Sequence, residues 1–322
     1  MRVTLTHKTR LDYTQAVVEG VMDTRLGPLS DAHQRWERHE LQLAPGGAVR
    51  NYVDGFGNSA ALLTVPRPHH YVEITTTGTV ETLLLDPFAQ PSVAPRLLSS
   101  AERFDYLGSS KLVAVPDGIR DLAAPHRPKT PEDTLDSVNA MMALIYRDFT
   151  YEKDVTTVTT TVQEMLETRT GVCQDFAHVL ISLCRAVDVP ARYVSGYIVS
   201  PPPTQTQSQS QSQSGGGTPA AQEMSGTQSQ SQSQSQSTQS GVTAQPPQGP
   251  SRGAGASHAW IEAYIPTHGW RGFDPTNNLL ASESHVKMAI GRDYGDVPPT
   301  RGTFRGSAQE KLAVEVSAHP LA

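Results

Sequence analysis

Cys173 stands in a sequence setting that favours thiol chemistry. It follows Gly171-Val172 and opens a stretch whose apolar residues recur every three or four positions, the pattern of one face of a helix. The first helical turn carries unpaired backbone N–H groups and the positive end of the helix dipole, which stabilise a thiolate or an oxyanion. The pattern therefore predicts that Cys173 lies in the first turn of a buried helix, a place that would favour a thiolate. The apolar face of this helix comprises Phe176, Val179, Leu180, Leu183 and Val187.

His258 and Asp274 are the candidate base and the residue that orients it. The run 258–265 is strand-like, a turn follows at His268-Gly269, and a second short strand from 270 to 273 ends at Asp274. Two antiparallel strands joined by this turn would place His258 and Asp274 at the same end of a hairpin. A helical cysteine followed in the chain by a histidine and an aspartate on strands is the arrangement of a papain-like nucleophilic site.

Four sequence blocks resemble the transglutaminase-like superfamily. In chain order they are Gly-Val-Cys-Gln-Asp-Phe-Ala, Pro-Ala-Arg-Tyr-Val-Ser-Gly-Tyr, His-Ala-Trp-Ile-Glu and Gly-Trp-x-x-Phe-Asp-Pro-Thr. A lone Gly-x-Cys would mean little, whereas four blocks in the right order are specific. The resemblance implies a catalytic triad of Cys173, His258 and Asp274, and thiol attack on an amide through a thioester acyl-enzyme.

The expected fold class is α+β, with a papain-like (transglutaminase-like) cysteine-enzyme core preceded by a small all-β domain. We predict the β domain at 1–95, the core at 96–199 and 257–290, and a C-terminal tail with a closing strand at 291–322. The Ser/Gln-rich insertion at 200–256 is predicted to be disordered, because it has too few apolar residues to offset its ordering entropy.

The β domain is predicted from short alternating segments typical of a sandwich or barrel. Its His-x-Thr start and its Asp-Gly-Phe-Gly-Asn turn resemble the β domain that precedes the core in bacterial transglutaminase-like proteins. Within this region, 71–77 and 79–85 are expected to form two strands on either side of Gly78.

Several other residues near the four blocks are assigned structural roles. His178 lies five residues after Cys173, roughly 140° around the helix, and is not expected to face the same cleft. Asp175 is interpreted as a first-turn acid that favours the helix dipole. Cys184 is interpreted as a core residue, about 16 Å from Cys173 along the helix and beyond the reach of a disulfide.

Two tryptophans and two tail residues complete the candidates. Trp260 and Trp270 are interpreted as packing residues of the hairpin rather than substrate contacts. Asp293 and Tyr294 either line the cleft or pack the tail onto the core, and the sequence leaves both interpretations open.

The composition argues against several classes of partner and cofactor. The 322 residues carry a net charge of −6 without a basic patch, so nucleic acid is not an expected partner. No uncharged apolar run approaches the ~20 residues that span a bilayer, so no membrane partner is expected, and the N-terminus lacks the apolar region of a secretory signal. Two cysteines that cannot pair suit a reducing interior, so a cytoplasmic location is expected. No histidine, cysteine or acid cluster has metal-ligand spacing, so no metal or cofactor is expected.

The expected substrate is a protein or peptide, cleaved at a peptide or side-chain amide bond. Hydrolysis is favoured over transamidation because no feature marks an acceptor-amine site. A peptide N-glycanase ranks low, because the zinc-binding Cys-x-x-Cys pair that would favour it is absent. Two alternatives are not enzymes: a peptide-binding module on the same fold, and a scaffold recruited through the Ser/Gln segment. An activated thiol would distinguish an enzyme from a binding module; the sequence does not indicate the oligomeric state.

Overall fold

A computed structural model describes residues 1–153, 155–199 and 257–321, so the predicted disorder at 200–256 lies outside the described residues. The chain begins with antiparallel strands whose side chains alternate between buried and exposed, as the period-two sequence pattern predicts. These strands are β1 (Arg2–Val17), β2 (Glu19–Thr24), β3 (Gln34–Ala44), β4 (Ala48–Val53), β5 (Ser59–Val65) and β6 (His69–Thr82).

Gly78 lies inside a single strand, so the prediction of two strands that turn at this glycine is wrong. β6 runs without interruption past Gly78, which is paired with β1 on one side and β3 on the other. A Cβ at this position would lie 2.5 Å from the Trp36 ring and 2.5 Å from the Arg38 carbonyl oxygen. The glycine therefore permits the close approach of β3 rather than a turn.

A helical segment follows the first strands and ends in a buried helix that begins at Cys173. Every residue of this helix from Asp175 to Arg185 is buried, as expected of a helix enclosed by other elements. The described helices and the short strands between them are α1 (Ser100–Leu107), α2 (Asp117–Ala123), α3 (Thr134–Asp148), β7 (Thr150–Tyr151), α4 (Val162–Thr168), β8 (Thr170–Gly171) and α5 (Cys173–Ala186).

A five-stranded antiparallel sheet packs against α5. Its strands are β9 (Ala191–Ile198), β10 (Ser257–Ile265), β11 (Gly269–Asp274), β12 (Leu279–Leu280) and β13 (His285–Gly291), in the order β12-β11-β10-β9-β13. The Ala and Ile side chains of β10 face α5 and share one apolar cluster with it, whereas Trp260 on the same strand belongs to a separate cluster. The predicted hairpin is confirmed, because β10 and β11 pair across the turn before Gly269.

The last strands of the chain complete the N-terminal β region. β14 (Thr300–Arg305) pairs with β2, and β15 (Glu310–Pro320) pairs with β1. The resulting sheets, β15-β1-β6-β3 and β14-β2-β5-β4, enclose a shared apolar cluster that includes Tyr13, Met22, Leu63 and Ile74, so they form a sandwich. The α+β class is confirmed, while the predicted domain boundaries stay a prediction.

The sandwich also packs against the core sheet. Val3, Leu5 and Val80 of the sandwich share a buried cluster with residues of β9 and β13. A buried polar contact joins the same surfaces, with His7 Nδ1 2.6 Å from the Tyr197 hydroxyl. The strands that position the candidate site are therefore supported from both faces, by α5 and by the sandwich.

Candidate active site

Cys173 lies at the first position of α5, where the sequence predicted it. The backbone of Val172 is extended, and Asp175 accepts its N–H at 2.9 Å and the Thr156 hydroxyl at 2.7 Å. These bonds fix the entry of the chain into the helix, which is the first-turn role predicted for Asp175. Cys173 is partly exposed, whereas the helix that follows it is buried.

His258 and Asp274 meet at one end of the β10–β11 hairpin. His258 Nε2 lies 2.8 Å from Asp274 Oδ2, and both side chains are inaccessible to solvent. Within the described residues, His258 Nδ1 has no partner at strict hydrogen-bond geometry, although the Cys173 thiol lies near enough to interact with the imidazole. The structure thus brings the three predicted residues together, and their catalytic role stays a prediction.

The electrostatics of this group favour an imidazolium. Burial alone would lower the pKa of His258, but the Asp274 carboxylate and then the Cys173 thiol raise it to about 10. Burial would raise the pKa of Asp274, but His258 and then His285 bring it below its usual range. At neutral pH a cation therefore faces the sulfur, and such a cation stabilises a thiolate.

Three further residues contact Asp274, and the sequence did not indicate these contacts. Asp274 Oδ1 accepts the backbone N–H groups of Thr276 at 3.0 Å and Asn277 at 3.3 Å, and Oδ2 accepts Asn277 Nδ2 at 2.7 Å. The Asp-Pro-Thr-Asn turn is a signal that could have identified Asn277. His285 Nε2 lies 3.5 Å from Oδ2, and it comes from β13, where nothing in the local pattern indicates contact with β11.

His178 and Cys184 have the structural roles predicted for them. His178 is buried, which lowers its pKa to about 4, and its Nε2 accepts the backbone N–H of Tyr294 at 3.1 Å. A neutral imidazole already engaged in this way is unsuited to act as the base. Cys184 is fully buried within the core cluster and forms no disulfide, as predicted.

Both tryptophans pack within the fold, in line with their interpretation. Trp260 is fully buried, and Trp270 lies under the Arg192 guanidinium at 4.0 Å from the ring centroid. Of the two interpretations left open for the tail, packing holds for Asp293, which accepts the N–H groups of Leu112 at 2.9 Å and Gly295 at 2.7 Å. This carboxylate ties the tail to the segment between α1 and α2.

A second group of potential ligands consists of Asp31, His33 and Glu262, whose ligand atoms lie within 4.8 Å of one another. The Lys287 ammonium hydrogen-bonds Asp31 Oδ2 at 2.6 Å and also Glu262 Oε1. Because a lysine already supplies positive charge between these carboxylates, the group does not fit a further divalent cation. Among the described residues, no helix is both long and apolar enough to cross a membrane.

Two family models match the chain, one over the N-terminal β region and one over the core that follows it. The model of the bacterial transglutaminase-like N-terminal region matches residues 3–81, and the model of the transglutaminase-like superfamily core matches residues 121–275. The first covers strands of the sandwich, and the second contains Cys173, His258 and Asp274.

Curated relatives and a solved structure match nearly the whole chain. An uncharacterized protein of Mycobacterium tuberculosis is 29% identical over 336 residues, which cover 99% of this chain and 93% of the relative. An uncharacterized protein of Mycobacterium leprae is 26% identical, covering 100% of this chain and 99% of the relative. A crystal structure from Cytophaga hutchinsonii, described as a "Putative Cysteine Protease", aligns with a TM-score of 0.65 at 22% identity, covering 99% of this chain and 91% of that one. At this identity the solved structure supports the fold alone. The fold and the two family models together show a transglutaminase-like core that is preceded by the bacterial transglutaminase-like N-terminal region.

Proposed function

We propose that this protein is a cysteine enzyme that acts on peptide or side-chain amide bonds of a protein or peptide substrate, with hydrolysis as its main reaction. The observation that carries the proposal is the environment of His258. One ring nitrogen of this buried imidazole is bound to Asp274 at 2.8 Å, and the ring interacts with the Cys173 thiol. A base held between a nucleophile and a fixed carboxylate is the arrangement that acyl transfer requires.

Each step of the proposed reaction is assigned to Cys173, His258 or the first turn of α5. The Cys173 thiolate attacks the carbonyl carbon, and the backbone N–H at the first position of α5, which has no acceptor within the helix, stabilises the oxyanion. His258 gives its proton to the departing amine or ammonia as the C–N bond breaks and the thioester forms. His258 then takes a proton from water, whose attack on the thioester releases the acid and restores the thiolate beside the imidazolium. An amine in place of water gives transamidation, which is the alternative outcome.

The first test is the pH dependence of Cys173 labelling by iodoacetamide, measured by peptide mass spectrometry. Cys184 is the internal control, since burial raises its pKa to about 12 and its labelling would report unfolding. We expect Cys173 to be labelled well below the pH at which free thiols react, and His258→Ala to slow the reaction at pH 6 by about tenfold or more.

The result also separates an enzyme from a binding module. If Cys173 reacts no faster than a free thiol and His258→Ala has no effect, the enzyme proposal fails and peptide binding without turnover replaces it. If labelling is fast, a screen of amide substrates with and without an added amine separates hydrolysis from transamidation, with Cys173→Ala as the inactive control.

A further inference from the structure

Asp274 is shared between two imidazoles. His258 Nε2 and His285 Nε2 lie 2.8 Å and 3.5 Å from the same oxygen, Asp274 Oδ2, and the side chains of all three residues are almost completely buried. The rings of the two histidines are 6.5 Å apart, and Trp260 packs edge-on against His285 at 5.2 Å. A second histidine is thus built into the site, and the mechanism above does not use it.

The protons in this network have one consistent arrangement. Because Asp274 is a carboxylate, both Nε2 atoms must carry hydrogen to donate to it. His285 Nδ1 then accepts the Ser284 hydroxyl, which lies 3.2 Å away. Burial, and after it the His258 cation, keep the pKa of His285 low, whereas the pKa of His258 is raised. His285 is therefore the neutral member of the pair, and His258 carries the positive charge.

The other charged groups near His285 are already paired. Lys287 lies two residues along β13 and is bound to Glu262 and Asp31. Glu283 lies on the other side of His285, and its half-exposed side chain is 3.6 Å from the N-terminal amine. The charge that His285 meets at hydrogen-bond range is therefore that of Asp274.

We propose that His285 is a positioning residue that shares the charge of Asp274 with His258 and so sets how readily His258 releases its proton during turnover. A carboxylate that accepts a further N–H is a weaker partner for each of its donors, so the hold of Asp274 on the His258 proton is reduced. An acid works best when its pKa lies near the working pH, and without His285 the imidazolium would be a poorer acid toward the leaving amine. This inference rests on the proposed function.

Two amide variants of similar size test the proposal. The side-chain amide of His285→Gln reaches the place of Nε2 and can donate to Asp274, whereas that of His285→Asn reaches only the place of Nδ1. Labelling of Cys173 is followed from pH 5 to 11 with anionic iodoacetate, whose reaction slows when the neighbouring imidazolium loses its proton. The matched control is His7→Asn, since His7 is also buried and hydrogen-bonded, to Tyr197 and Thr9.

We expect the alkaline fall in labelling to move upward by roughly one pH unit in His285→Asn and to stay near the parental position in His285→Gln and His7→Asn. With a substrate in hand, His285→Asn should lower kcat with little change in KM. An alkaline limb that is unchanged or moves downward in a folded His285→Asn protein overturns the inference, as does an equal shift in both His285 variants. A parent protein whose Cys173 labels like a free thiol refutes the proposed function instead, so the two failures are distinguishable.

Discussion

Strand β10 carries two buried ionisable residues, His258 and Glu262. Their surroundings differ, and the difference suits one to proton transfer and the other to stabilising the fold. Glu262 is enclosed by cations: Arg192 is bound to it at 2.5 Å, and Lys287 is bound both to it and to Asp31. His258, four residues earlier, is bound to Asp274 through one ring nitrogen, and its ring also interacts with the Cys173 thiol. The first group is saturated by its own charges, whereas the second is complete only when Cys173 is counted.

This difference distinguishes a buried charge cluster that stabilises the fold from one that can exchange a proton. A carboxylate whose partners are all fixed cations stabilises a fold without being able to exchange a proton with a ligand. A histidine that is oriented by a carboxylate on one side and lies beside a thiol on the other can exchange a proton, which is the requirement for an acid and a base. Mutations should therefore affect reactivity at one end of β10 and stability four residues further on.

The largest expected effect is the loss of turnover in Cys173→Ala. Removal of the proposed nucleophile should lower kcat by about 10³-fold or more. The free energy of unfolding should change little, because the side chain is partly exposed. Substrate turnover and a denaturant titration measure the two quantities. A Cys173→Ala protein that keeps its activity would show that the group around His258 is not the reactive site.

Next in size is the destabilisation caused by Glu262→Ala. This change leaves the partly buried Arg192 and the buried Lys287 without the carboxylate that they share, at a cost of about 3–5 kcal/mol in the free energy of unfolding. Chemical denaturation gives the loss, and at temperatures where the variant stays folded the labelling of Cys173 should match the parent. A stable Glu262→Ala protein with slow labelling would reverse the assignment of the two clusters.

The stabilising contributions of His258 and Glu262 should also be lost at opposite extremes of pH. The pKa of Glu262, which burial would raise, is lowered to about 2 by Lys287 and Arg192, so its stabilising contribution is present above pH 4.5 and is lost as the pH falls toward 2. The pKa of His258 is raised to about 10, so its contribution is fully present below pH 6.5 and is lost as the pH rises through 10. Melting temperature against pH should therefore lose its alkaline decline in His258→Ala and its acid decline in Glu262→Gln. An alkaline decline that persists unchanged in His258→Ala would contradict the assignment.

The smallest effect is expected for Asp31→Asn. Asp31 is the more exposed of the two acids bound to Lys287, with 31% of its side chain accessible, and Glu262 remains as a partner after the change. The free energy of unfolding should fall by about 1 kcal/mol or less. A loss of unfolding free energy as large as that of Glu262→Ala would show that Glu262 alone does not neutralise Lys287. The description of the cluster as saturated would then be wrong.

The sequence was informative wherever structure depends on neighbours in the chain. The apolar period after Cys173 predicted α5, and the turn at Gly269 predicted the hairpin that joins His258 to Asp274. These elements are set by periodicity and turn residues within about 20 positions, which a single sequence displays directly.

The parts that were missed depend on partners far away in the chain. The sequence suggested a turn at Gly78, whereas the glycine is needed because the Trp36 ring leaves no room for a side chain. Trp36 belongs to another strand, so the local sequence does not show this contact. His285 gave no signal, because its contact with Asp274 depends on how β13 joins the sheet. The Lys287–Glu262–Asp31 cluster likewise combines two core strands with a loop of the β region, and no local pattern records such a meeting.

The pairing of the first strand with the last has a consequence for how the protein is made. Val3 lies opposite Pro320, and Tyr13 lies opposite Glu310, so β1 obtains this neighbour only after the roughly 300 residues between the two strands have been synthesised. At about 5–20 residues per second, that interval is roughly 15–60 s on the ribosome. The strands of the five-stranded sheet emerge earlier, so the thiol site can assemble while one edge of β1 is still unpaired. Such an open edge invites pairing with other chains. The nascent chain, rather than the folded protein, is therefore the form in which this edge of β1 is open to pairing with other chains.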